Sequence, residues 1–117
     1  MKDLYNKYNN LLLTKFPILK KDFEDYTEWQ EGINTGSLVV YEDIFVPYII
    51  NQLVNENKVE IEKIVSFIEE LLDSNDEYAF NIAYVAILET LKSDPNGQKI
   101  EKYLKSHGLK EYKELVY

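Results

Sequence analysis

Between Ile61 and Leu72 the apolar residues Ile61, Ile64, Val65, Ile68, Leu71 and Leu72 recur at steps of three and four. That spacing lines one side of an α-helix and matches no face of a strand, whose period is two. Asn57 and Glu60 precede the run with the spacing of a capping box, and Ser74 and Glu77 repeat that spacing after it. The segment is therefore predicted as a helix with a buried stripe, and most of the remaining chain has to be compatible with packing against it.

The same period continues on both sides. Leu4, Tyr5, Tyr8, Leu11 and Leu12 predict a first helix. A second is expected to begin at Pro17, with Phe16, Leu19, Phe23 and Tyr26 on one face, Trp29 near its end and Gly32 as the stop. Residues 32–37 read as a loop, and Leu38 to Tyr41 is too short a run to assign. Asp43 is expected to cap a helix reaching about Asn55, with Pro47 in or just past its first turn. From Asn75 to Leu91 apolar residues cover nearly the whole circumference, which predicts a central, buried helix. Asp94-Pro95-Asn96-Gly97 reads as a turn. Ile100, Tyr103 and Leu104 then suggest a shorter helix closed by Gly108, and Leu109, Tyr112, Leu115 and Val116 a last one.

At 117 residues without a long linker or low-complexity segment, residues 1–117 are expected to form a single all-α domain. The hairpins at about 43–73 and 75–107 are similar in length, as in a right-handed, HEAT-like stack of antiparallel helix hairpins. An up-and-down helical bundle is the alternative. The longest nearly apolar stretch, Ala79 to Leu88, is half a membrane span, and the first ten residues carry charges and amides where a signal peptide would be apolar. A cytoplasmic protein with no membrane segment is expected.

Charge narrows the function. Thirteen Lys and no Arg face 21 acids, for a net charge of −8. No nucleic-acid partner is expected of such a chain, because a nucleic-acid binder needs a basic footprint. The charge is also uneven: residues 1–21 carry +4, residues 22–94 carry −14 and residues 95–117 carry +2. Asp22, Glu24, Asp25, Glu28 and Glu31 form the densest acidic run, with Tyr26 and Trp29 among them. Acids beside aromatics suit a surface that captures a basic protein, and the same run also suits a plain solvated helix face. A second acidic set, Glu69, Glu70, Asp73, Asp76 and Glu77, straddles a helix–helix turn and is read in part as capping. Of the ten Tyr, Tyr5, Tyr8, Tyr84 and Tyr103 are assigned to apolar faces, whereas Tyr41, Tyr48 and Tyr117 are contact candidates.

Catalytic patterns do not emerge. The chain lacks Cys, and its four Gly are scattered at 32, 36, 97 and 108, so no phosphate loop forms. His107, the one histidine, follows Leu104 rather than a Glu at the spacing of a di-iron site. It is expected to cap a helix C-terminus ahead of Gly108. Glu89 and Asn81 interrupt the apolar 75–91 helix and are read as structural, or else as polar anchors of a pocket beside it. No catalytic residue, metal site or cofactor is assigned.

Three stretches carry a resemblance. They are Phe16-Pro17-Ile18-Leu19-Lys20 before the acidic, Trp-bearing helix; Val39-Val40-Tyr41-Glu42-Asp43-Ile44-Phe45-Val46-Pro47-Tyr48; and Phe67-Ile68-Glu69-Glu70-Leu71-Leu72 followed by Asn81 and Ile87-Leu88-Glu89-Thr90-Leu91. In this order, over about residues 15–107, the chain resembles a family of small helical bacterial proteins that includes immunity proteins of polymorphic and contact-dependent toxin systems. The resemblance implies a HEAT-like helical domain with a protein partner. No set of toxin-contact residues is carried over from it.

Together these readings predict a toxin-neutralising immunity protein, a non-enzyme and a monomer when free. It would bind a cognate, basic toxin domain, for example a nuclease. Asp22, Glu24, Asp25, Glu28, Trp29, Glu31, Tyr41 and Glu42 are the predicted partner-binding residues. The alternatives are a small-ligand protein or enzyme with a pocket around helix 75–91, and an adaptor that binds some other protein.

Overall fold

A computed structural model describes residues 1–115 and contains helices with no strand among them. The fold is all-α. Helix α1 spans Lys2–Lys15, and a 3₁₀ turn at Pro17–Leu19 leads into α2, Lys20–Thr27. After a 3₁₀ turn at Gly32–Asn34, α3 runs Ser37–Val54 and α4 runs Lys58–Leu72. Helix α5 covers residues 77–92, a 3₁₀ segment spans Gly97–Tyr103, and α6 is Ser106–Glu114.

The core follows the predicted stripes. On α4, Ile61, Ile64, Val65, Ile68 and Leu71 are buried, and Phe67 joins them. Phe67 meets Phe16, Tyr41 and Phe45 in an aromatic cluster with ring centroids 5.6 to 6.3 Å apart. Two of the pairs are edge-to-face and the Tyr41–Phe67 pair is stacked, arrangements that add about 0.5–1.5 kcal/mol per pair beyond area burial. Helix α5 lies at the centre as expected, packed against α3, α4 and α6. Its Ile82, Ala83, Ala86, Ile87 and Leu88 are all buried.

Helix α3 departs from the sequence reading. Leu38 to Tyr41 is helical, the helix starts at Ser37, and Asp43 lies inside it rather than at its cap. Gly36 takes the cap position, while the Ser37 hydroxyl donates to the Asn9 side chain (3.0 Å) and to the Tyr5 carbonyl (3.2 Å) on α1. Pro47 is therefore interior, where a missing N–H ordinarily breaks the helical ladder. A π-helical stretch at Tyr41–Phe45 ends two residues before the proline, and in its wider register the Val46 N–H donates to the Tyr41 carbonyl. A second π stretch, Ile82–Glu89, fills half of α5 and packs against the first.

Joined in this way, α3 has 18 residues with a mean hydropathy of 1.2, long and apolar enough to cross a membrane by length and composition. Glu42 and Asp43 interrupt its apolar residues, so the longest nearly apolar run in the sequence is still Ala79 to Leu88. In the fold α3 is a core helix: Val40, Tyr41, Phe45, Val46, Ile49 and Leu53 are buried inside the protein, and Glu42 and Asp43 face out.

Three boundary assignments also change. Asp76, not Ser74, caps α5, accepting from the Tyr78 N–H at 2.8 Å. Gly108 lies inside α6 and closes no helix. The preceding helix instead ends at Tyr103, and Ser106, with φ +45°, turns the chain into α6. His107 consequently sits in the first turn of α6, the opposite end from the one expected. The Asp94 turn is as predicted, with the carboxylate accepting from the N–H groups of Asn96 (2.8 Å) and Gly97 (3.1 Å). Val116 and Tyr117 lie outside the described residues.

Candidate protein-binding face

Helix α2 turns Phe23 and Thr27 inward, where both are buried, and the Thr27 hydroxyl donates to the Phe23 carbonyl at 2.8 Å. The other side of the helix is left to solvent. Asp22, Glu24 and Asp25 and, just beyond the helix, Glu28 and Glu31 are all exposed. Trp29 is 90 % exposed, and Ile18 at the other end of the segment is 70 % exposed. Asp22 and Asp25 share a side of α2, and the exposed apolar side chains of Ile18 and Trp29 stand just before and just after the helix.

The acids are not equally free. Lys21 reaches Asp25 at 3.5 Å and Lys2 reaches Glu31 at 3.4 Å, both in solvent, where such pairs contribute little. Asp22, Glu24, Glu28 and Glu42 have no cation within 4.0 Å among the described residues. Helix α2 is flanked by two clefts. One, of about 510 Å³ between α1 and α2, has Leu13, Phe23 and Ile33 in its lining with Glu24 and Glu28. The other, of about 310 Å³ between α2 and α3, is lined by Asp22, Asp43, Ile44, Pro47, Tyr48 and Asn51.

Position on this face is fixed by tyrosines. The Tyr26 hydroxyl donates to the Asp43 carboxylate and ties α2 to α3. That hydrogen bond, with some burial, raises the Tyr26 phenol pKa. Tyr48 lines the second cleft and donates to Glu60 at 2.5 Å; burial, then this bond, pushes its pKa well above the ordinary value.

Seven of the eight predicted contact residues are exposed; Tyr41 is not. It is fully buried and donates from its hydroxyl to the Tyr8 carbonyl at 2.6 Å, so it holds α3 to α1 instead of meeting a partner. Once α3 includes residues 38–41, Tyr41 falls one turn before Phe45 and two before Ile49, both buried. Glu42, its neighbour, is exposed on α3. Two residues of the face were missed, Ile18 and Asp43. Ile18 falls off the Phe16–Leu19–Phe23 stripe, which was the available signal; Asp43 was hidden by its assignment as a cap.

The second acidic set has structural partners. Glu69 accepts from the N–H groups of His107 (2.9 Å) and Gly108 (2.8 Å), and Asp73 is hydrogen-bonded to the His107 ring. Glu70 pairs with Lys15 at 3.3 Å, and Asp76 accepts from the Tyr8 hydroxyl at 2.6 Å. Oxygens of Glu69 and Asp73 and a His107 ring nitrogen lie within 4.8 Å of one another, a spacing that could also hold a metal ion. The bonds just described account for their placement as a clasp between α4 and α6. Glu89 and Asn81 are half-buried on α5, and the clefts beside α2 lie elsewhere.

No curated protein and no solved structure matches the chain at a significant level. Residues 9–117 match the family described as a domain of unknown function (DUF7674), and the chain belongs to that family.

Proposed function

We propose that this protein neutralises a cognate toxin by binding it through the α2 face, as an immunity protein. The observation that carries the reading is Trp29, 90 % exposed among five exposed carboxylates on and just after one short helix. Leaving an indole in water has no role in folding, and buried aromatic anchors surrounded by polar groups are the usual energetic centre of an interface. The −14 carried by residues 22–94 selects a basic partner and accelerates its approach. The resemblance to a family with immunity proteins supports the same reading. On it the protein is a cytoplasmic monomer when free, without catalytic activity or cofactor, and covers the active site or substrate surface of the toxin.

The test uses a purified toxin domain encoded beside this gene. Titration calorimetry is expected to give a one-to-one complex, and co-expression to protect cells. Trp29→Ala should weaken the complex by about thirtyfold, as for a central anchor worth about 2 kcal/mol. Reversing Glu24, Glu28 and Glu31 to Lys should slow association by about tenfold or more at low salt. Absence of a complex, or association indifferent to both changes, would refute the proposal.

A further inference from the structure

We infer that the cleft between α1 and α2 is a receptor for one arginine side chain of the partner. The inference rests on the protein-binding reading above and specifies what that partner must present. The cleft holds about 510 Å³ and is open to solvent beside the exposed face. Its lining divides by chemistry. Leu13, Phe23 and Ile33 supply apolar surface, and Glu24 and Glu28 supply two carboxylates one helical turn apart. Among the described residues neither carboxylate has a cation within 4.0 Å or a hydrogen-bond partner, so both are available to a ligand.

A long cationic side chain fits that division, with an apolar stem against Leu13 and Ile33 and a charged head at the two acids. Guanidinium is favoured over ammonium for two reasons. Its planar fork donates to two carboxylates at once, and it loses less hydration on leaving water. Gln30 also lines the cleft; its amide nitrogen donates to the Tyr26 carbonyl at 3.0 Å, and its amide oxygen accepts no hydrogen bond among the described residues. Among the described residues Lys20 is the one cation in the lining. It stands a helical turn before Glu24 without pairing with it, so it opposes the incoming charge and limits affinity.

The experiment titrates the isotope-labelled full chain with the capped peptide acetyl-Gly-Arg-Gly-amide, followed by amide chemical shifts. Saturable shifts are expected at Phe23, Glu24, Thr27, Glu28 and Ile33. The citrulline peptide, equal in shape but uncharged, should bind at least about tenfold more weakly. E24Q/E28Q should lose about tenfold or more, E114Q on α6 should change nothing, and K20Q should tighten binding about twofold. Shifts spread over all acidic surfaces, equal binding of the citrulline peptide, or indifference to E24Q/E28Q would each overturn the inference. Peptide binding without any toxin complex would refute the proposed function and leave the receptor standing. A toxin complex sensitive to Trp29→Ala but indifferent to E24Q/E28Q would refute the receptor alone.

Discussion

Helix α6 has no cap of its own. Its preceding residue, Lys105, makes no side-chain bond to the first turn, and the N–H groups of His107 and Gly108 are taken instead by Glu69, 38 and 39 residues earlier on α4. Replacing Glu69 by Ala removes both acceptors together. A helix cap is worth about 1 kcal/mol, and a hydrogen bond to a charged acceptor about 1.5–3 kcal/mol. The carboxylate is 22 % exposed, so water replaces part of what is lost. A net loss of about 2 kcal/mol follows. With an unfolding entropy of about 2.1 cal/mol/K per residue, that lowers Tm by about 8 °C for this chain. Circular dichroism melting measures the shift, and hydrogen exchange locates it: amides of residues 106–114 should exchange faster, while those of α4 and α5 keep their order. Glu69→Gln keeps one acceptor and should fall between. A Tm within about 1 °C of the parent, or faster exchange distributed evenly over the chain, would show that the clasp does not hold α6.

Other outcomes follow from single contacts. Gly97→Ala places a Cβ 2.3 Å from the Leu91 carbonyl oxygen, a backbone atom that cannot turn aside, and should cost about 3 kcal/mol by denaturant titration. Tyr41→Phe deletes the buried bond to the Tyr8 carbonyl and should cost about 1–1.5 kcal/mol in the same assay without changing partner affinity. At alkaline pH, burial and the bond to Asp76 push the Tyr8 phenol up to about 12 from 10.0. Its folded pKa is raised, so its contribution is complete below about pH 10 and is lost as pH rises towards 12. Chemical unfolding across that window should show a decline that Tyr8→Phe reduces.

How much of this was legible in the sequence depends on how far away each decisive partner lies. The α4 stripe is local, and every buried position from Ile61 to Leu71 except Phe67 followed from its period. The Asp94 turn is also local, a carboxylate bonding the N–H groups two and three residues on. The start of α3 was not legible, because Ser37 is held by Tyr5 and Asn9 on α1, 28 to 32 residues away. Pro47 then misdirected the reading, since a proline marks a first turn unless a π stretch precedes it. His107 was placed at the wrong helix end for a similar reason: its partners Glu69 and Asp73 belong to another helix. The exposure of the α2 acids was legible, because a charge run needs no distant partner to be placed in solvent. Its clefts were beyond reach, being formed by α1 on one side and α3 on the other.

The paired π stretches bear on how this chain can change over time. Each carries more residues per turn than an α-helix, so the chain beyond it is phased by the surplus. When one residue is lost from 82–89 and the stretch returns to α pitch, the chain beyond it therefore keeps nearly its phase, because the π register already holds the surplus residue. Leu91 would stay in the core with its carbonyl against Gly97. Relatives of this chain should accept loss of a single residue within 82–89 more readily than within the α-helical stripe at 61–71, where the same loss turns the chain beyond it by about 100°.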